Sequence, residues 1–143
     1  NGAKAFLAAA NAAEILVGAF LNASRVSSYL KKADREVFLF CAGREGRLAL
    51  EDLLCAGMII DHLVFAMKDE PGVELTDPAR TGMLAYRQMA GMGPVVIALG
   101  RTDHGRYLSS LGLAGDLRYC GQVDLLPVLA RFAEGRIVLV TED

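Results

Sequence analysis

Tryptophan is absent from this sequence, and aromatic residues make up only 7% of it. That leaves too few ring faces for a platform that stacks nucleic-acid bases. Positive charge is also short: 15 Lys and Arg stand against 17 Asp and Glu, for a net charge of −2 and a pI near 5.7. With no basic excess to neutralise a phosphate backbone and no block of like charge, neither nucleic acid nor a membrane surface is expected as a partner. Cysteines number only 3: Cys41, Cys55 and Cys120, widely spaced and without a Cys-x-x-Cys pair. An odd, scattered set argues against a disulfide framework or a zinc ribbon and fits a reducing, cytoplasmic compartment. Long apolar runs are missing too. The longest, around Met58 to Met67, is interrupted by Asp61 and His62 and is too short to span a bilayer. No signal-peptide pattern is visible, and no repeat or low-complexity tract occurs.

What remains is core-forming sequence. Hydrophobic residues are 53% of 143, enough for one compact domain and too many for a disordered chain. Residues 4–12 are Ala-rich and helical in propensity. Residues 14–20 (EILVGAF) and 36–41 (EVFLFC) are short continuous apolar runs, the pattern of strands buried on both faces. Between them, Asn22 reads as an N-cap for an amphipathic helix over 23–32. After the second run a glycine-containing loop, 42–47, leads into a long helix over 48–67. This alternation predicts an α/β fold with a parallel sheet covered on both faces and right-handed crossovers.

Farther on, 68–78 reads as a surface loop. Pro78 suits the first turn of a helix over 79–90, with Asp77 as its cap. Val95–Gly100 suits either a strand or a helix, and its direct run into Arg101 favours the helix. Thr102 or Asp103 can cap a helix over 105–111 that Gly112 closes. Residues 117–120 read as a short strand or turn. Pro127 argues against a central strand over 123–128 and favours a helix start there. Residues 137–140 (IVLV) read as a final β segment.

The strongest local signal for chemistry is the loop Cys41-Ala42-Gly43-Arg44-Glu45-Gly46-Arg47. It follows an expected buried strand and precedes a helix, the place where open α/β sheets bind ligands. A helix N-terminus there favours an anion. Gly43 and Gly46 let backbone approach the ligand. Arg44 and Arg47 add donors that match phosphate or sulfonate geometry. The competing reading is an ordinary β-to-α turn with its arginines in solvent. Glu51 and Asp52 in the next turn either complement the helix dipole or, beside a bound phosphate, hold Mg²⁺, which takes one or two carboxylates plus substrate oxygens. Their side chains point about 100° apart, so one ion is not expected to take both.

The remaining candidates each carry a bland alternative. Asn1-Gly2 opens a helix whose N–H groups would form a second anion site. His104, within Thr102-Asp103-His104-Gly105-Arg106, is suited to general acid or base work, or it is part of a surface turn. Asp124 is a ligand or a helix cap over Pro127. His62, inside an apolar helix, reads as a core or interface histidine. Cys41 and Arg47 meet the Cys-x5-Arg spacing of a cysteine phosphatase, but Glu45 inside the loop opposes both a thiolate and a phosphate. Cys55 and Cys120 read as core.

Taken in order, these motifs resemble the 2-phosphosulfolactate phosphatase family. Asn1-Gly2 before an Ala-rich helix is similar to the family's Thr-Thr-Asn-Gly-Thr segment. Gly18-Ala19-Phe20-Leu21-Asn22-Ala23 is similar to its Gly-x-Phe-x-Asn-Ala stretch. Cys41-Ala42-Gly43 through Glu51-Asp52 to Cys55-Ala56-Gly57 matches its central block. His104-Gly105 with Leu108 and Gly112 is similar to its Ser-x-His-Gly motif, with Thr102 in place of Ser. Asp116, Cys120 and Asp124 follow its Asp-x-x-x-Cys…Asp segment. The resemblance implies a three-layer α/β/α fold with a mostly parallel sheet. It also implies Mg²⁺-dependent hydrolysis of a phosphate monoester of a small acid, 2-phosphosulfolactate to sulfolactate plus phosphate, a step of coenzyme M biosynthesis. A preceding Val-Asp-Val-x-Arg-Ala-Thr segment of the family is not found here. Together with an opening that lacks Met, this reads the chain as the C-terminal portion of a longer protein.

The expected site therefore has His104, Glu51 and Asp124 in catalysis. Asn1, Gly2, Gly43, Arg44, Gly46 and Arg47 would bind the anionic substrate, and Glu51 and Asp52 the Mg²⁺. Two other classes of function compete: a non-catalytic phosphate- or sulfonate-binding module, and an oligomerisation domain whose Met58, His62 and Met67 form a homodimer face.

Overall fold

The computed structural model describes residues 2–33, 35–69 and 73–141. Seven α-helices are found among them, in order: α1 (Gly2–Ala8), α2 (Ala23–Lys31), α3 (Leu50–Ala66), α4 (Asp77–Ala90), α5 (Val95–Gly100), α6 (Asp103–Ser110) and α7 (Ala114–Cys120). A 3-10 turn, Phe20–Asn22, leads into α2, and two strands, β1 (Ala130–Ala133) and β2 (Arg136–Leu139), close the order.

α3 sits at the centre because it is apolar nearly all round, which only a helix packed on several sides can be. α2 and α4 pack on it. Leu54, Met58 and Ile59 of α3 meet Phe20, Val26 and Leu99 in the buried core. α3 and α4 touch backbone to backbone: a Cβ on Gly57 would lie 2.1 Å from the Gly82 carbonyl oxygen. Met58, one of the three residues of the expected dimer face, is only 2% exposed.

Helix starts follow the chemistry of their first residues. Thr102 caps α6, its hydroxyl accepting from the Gly105 N–H at 2.9 Å, and Pro78 stands in the first turn of α4 after Thr76. α2 is capped differently. Asn22 occupies the N-cap position but makes no cap bond with its side chain. Instead its amide accepts from the Ala19 N–H at 2.8 Å and donates to the carbonyls of Val17 and Val128 at 3.0 and 3.1 Å. Asn22 is thus a buried tie between chain segments.

The β structure differs most from the expectation. The paired strands are antiparallel, Ala130 opposite Leu139, joined by Glu134-Gly135 with φ of 51° and 77°. Positive φ at both central residues is the hairpin turn whose twist matches its strands. Residues 15–17 run beside β1 through one antiparallel bridge, Leu16 to Arg131. The 36–41 run belongs to no helix or paired strand, and no backbone hydrogen bond reaches 36–42 among the described residues. Phe38 and Phe40 are 79% and 63% exposed, so the burial expected on both faces is not met within this chain. Two further local differences occur: 117–120 is the end of α7, and 123–128 is irregular, with β1 following instead of a helix. No helix among the described residues is long and apolar enough to cross a membrane.

Candidate active site

The loop 42–47 folds back on itself before α3 begins. Glu45 and Gly46 have φ of 53° and 73°, and Arg44 and Arg47 exchange backbone hydrogen bonds at 3.0 and 2.9 Å. Glu-Gly-Arg thus builds the same tight turn here as at 134–136, because glycine carries no Cβ penalty at positive φ. One consequence is chemical. The N–H groups of Arg44 and Arg47 go to each other's carbonyls, and the Gly43 N–H donates to Asp52 Oδ2 at 2.8 Å. At this corner the donors left to meet an anion are the two guanidinium groups and the N–H groups of Glu45 and Gly46, which have no partner among the described residues.

Arg44 is held in a defined place. Its Nη1 lies 3.0 Å from His104 Nδ1, and its Cζ is 4.9 Å from the centre of the Tyr107 ring, a cation–π contact. His104 and Tyr107 are stacked with centroids 6.3 Å apart, both on α6. Guanidinium only donates, so His104 Nδ1 accepts and the ring's hydrogen is on Nε2. The imidazole is neutral in this pose, with one donor remaining.

His104 lines a cleft of about 1010 Å³, together with Glu51, Asp52, Cys41, Asp116 and Gly2. Both acidic residues of the first turn of α3, Glu51 and Asp52, thus border the cleft. Asp52 Oδ1 has no partner among the described residues. Gly43, Arg44, Gly46 and Arg47 are not part of the cleft lining; Arg44 reaches it through His104. Asn1 lies outside the described residues.

The thiols are poorly set for nucleophilic work. Burial and the charge of Asp52 raise the Cys41 pKa above its usual value. Burial, with Asp52 and Cys41 nearby, pushes Cys55 up to about 12. Both are protonated at neutral pH, the opposite of an activated thiolate.

Asp124 lies elsewhere. Its carboxylate accepts from the Ser24 N–H at 2.8 Å and from the Ser24 hydroxyl at 2.5 Å, capping α2 from a hundred residues away. His62 Nδ1 stands 3.3 Å from the same hydroxyl. Since that hydroxyl gives its proton to Asp124, His62 donates to it. Neither Asp124 nor His62 lines the His104 cleft. Tyr107 was missed by sequence reasoning; its one signal was its place three residues after His104, on the same helix face.

Comparison with known proteins agrees with the motif order. The chain is 34% identical over 140 residues to a probable 2-phosphosulfolactate phosphatase of Symbiobacterium thermophilum, covering 98% of this chain and 58% of that protein. The corresponding proteins of Carboxydothermus hydrogenoformans and Clostridium perfringens are 33% and 31% identical, with 97% and 98% of this chain and 56% and 54% of theirs covered. The chain thus spans a little over half the length of these curated relatives. The family model for 2-phosphosulpholactate phosphatase matches residues 1–135, and the chain belongs to that family.

Proposed function

We propose that the protein carrying this chain is a cytoplasmic, Mg²⁺-dependent phosphatase that hydrolyses the phosphate monoester of a small acid, 2-phosphosulfolactate or a close analogue, as in coenzyme M biosynthesis. The observation that carries the reading is the Arg44–His104 contact at the cleft. It joins the two family motifs with phosphate chemistry, and the names of the relatives supply the reaction. Free cysteines at all three positions support the compartment. A three-layer α/β/α arrangement is proposed for the whole protein.

In this mechanism Arg44, anchored by His104 and Tyr107 before substrate binds, moves its N–H donors onto the phosphate oxygens as the substrate arrives, with Arg47 as a second cation. Gly2, at the start of α1, borders the substrate. Mg²⁺ fits the donor set, since it needs only one or two carboxylates and Glu51 and Asp52 both border the cleft; when bound there it neutralises charge on the phosphate. Glu51 orients the attacking water. A bond forms from water oxygen to phosphorus, the ester P–O bond breaks, and the leaving alkoxide takes up a proton. His104 meets that oxygen with its Nε2–H. Full proton delivery requires the ring first to gain a hydrogen at Nδ1, which becomes available as Arg44 shifts from the ring to the phosphate.

A non-catalytic anion-binding module is favoured by one observation, the occupation of the Gly43 N–H by Asp52. Isothermal titration separates the two readings. The phosphatase requires Mg²⁺ and a phosphate-ester analogue to bind more tightly together than apart, and independent binding favours the module.

A further inference from the structure

We propose that the apolar part of the cleft, bordered by residues 14–17 and 36–41, seats a β-strand from the portion of the curated relatives' polypeptide outside the region this chain matches, leaving the end of the cleft at Glu51, Asp52 and His104 to the substrate. Four observations lead there. Residues 36–41 belong to no helix or paired strand and are mostly apolar, with Val37, Phe38 and Phe40 exposed at 38%, 79% and 63%. Sequence of that kind is found where a strand is covered on both sides. Second, 36–42 carries no backbone hydrogen bond among the described residues. An open apolar edge of this kind is a template for another strand.

Third, residues 14–17 line the same cleft as 36–41 and present a second open edge to it. Phe132 donates to the Ile15 carbonyl and the Val17 N–H donates to Ala130, so that edge of residues 15–17 is spent on β1. Backbone groups alternate sides along a strand, which turns the N–H and C=O of Leu16 away from β1, and neither has a partner among the described residues. Two open edges on a single cleft would both be satisfied by one strand laid between them at the usual spacing of about 4.8 Å to each neighbour. Fourth, this chain covers 58%, 56% and 54% of three relatives, so the family carries ample polypeptide to supply it. A second copy of this chain, pairing 36–41 with its own 36–41, would satisfy one edge and leave Leu16 open.

The test is amide hydrogen exchange on two proteins, this 143-residue chain and the same chain within a polypeptide of the relatives' full length. Light scattering gives the oligomeric state of each. The expected result is a monomeric short chain whose 36–41 and Leu16 amides exchange fast. In the longer protein the same amides slow by about a hundredfold or more, as in a hydrogen-bonded core strand. Phe38→Asp is then expected to leave the melting temperature of the short chain unchanged, because Phe38 is exposed there, and to lower that of the longer protein by about 5 °C or more. Equal exchange rates in the two proteins overturn the proposal. So does a dimeric short chain that already protects 36–41. The readout is exchange and stability, so it does not depend on the phosphatase reading.

Discussion

Arg44 donates to Nδ1 of His104 across a distance of 3.0 Å and a sequence separation of 60 residues. This bond fixes both partners. It holds the guanidinium over Tyr107 and settles the imidazole as the tautomer with hydrogen on Nε2. A glycine-arginine turn before α3 and the first turn of α6 thereby become one corner at the mouth of a cleft.

The first consequence concerns His104. If Nε2–H is what the substrate meets, His104→Gln keeps an amide donor near that position, whereas His104→Ala removes it. His104→Ala is expected to lower kcat by about a hundredfold, the usual worth of one donor to developing charge, with Gln recovering part of the loss. Steady-state kinetics of the full-length protein checks this; equal losses in both variants would assign the histidine a proton-transfer role from the outset.

Asp124 is expected to matter for stability. Its carboxylate takes both the N–H and the hydroxyl of Ser24, so Asp124→Ala is expected to cost about 1–2 kcal/mol, the range for a lost helix cap. Asp124→Asn retains an acceptor and loses less. Urea unfolding measures both, and a fully stable Asp124→Ala protein without turnover would return this residue to the catalytic set.

A third expectation follows from the contact of α3 with α4. Gly57→Ala would place a methyl group 2.1 Å from the Gly82 carbonyl oxygen, which backbone cannot relieve without separating the helices. A loss of about 2–3 kcal/mol is expected, as for overpacked cores. Gly115→Ala, in open space on α7, is the control and is expected to be neutral or slightly stabilising. Thermal melts of the two decide.

The fourth concerns pH. The Cys55 pKa stands near 12 in the folded chain and near 8.5 in an unfolded one. A proton held more tightly by the folded state stabilises it below the unfolded value, and that contribution is lost as pH rises from about 9 towards 12. Between pH 9 and 11 the stability difference between the native chain and Cys55→Ala is therefore expected to narrow by about 2 kcal/mol. Urea titrations at the two pH values read it directly; a difference that stays constant would mean that the thiol titrates normally.

Local chemistry made much of this legible. The caps at Thr102 and Pro78, the amphipathic α2 and the apolar α3 are all readable from periodicity and end signals, because the interactions that decide them lie within a few residues. The 36–41 run reads as a buried strand, yet it is unpaired and largely exposed, since pairing and burial depend on partners outside the run. Arg-Glu-Gly-Arg carries a hairpin-turn signal as well as the look of an anion cradle, and this turn occupies the N–H groups of Arg44 and Arg47. Asp124 capping α2 and Asn22 tying Val17 to Val128 were not readable at all. Both are contacts between segments a hundred or more residues apart, which no local pattern encodes.

The central claim, that the Arg44 corner handles a phosphate monoester, is tested most directly by phosphate release from 2-phosphosulfolactate in the presence of Mg²⁺, comparing the full-length protein with its Arg44→Ala variant. The account expects turnover by the native protein and a loss of about a hundredfold or more in kcat/KM for the variant, of the order set by a charged hydrogen bond to the reacting group. Unchanged kcat/KM in a folded Arg44→Ala protein would contradict it.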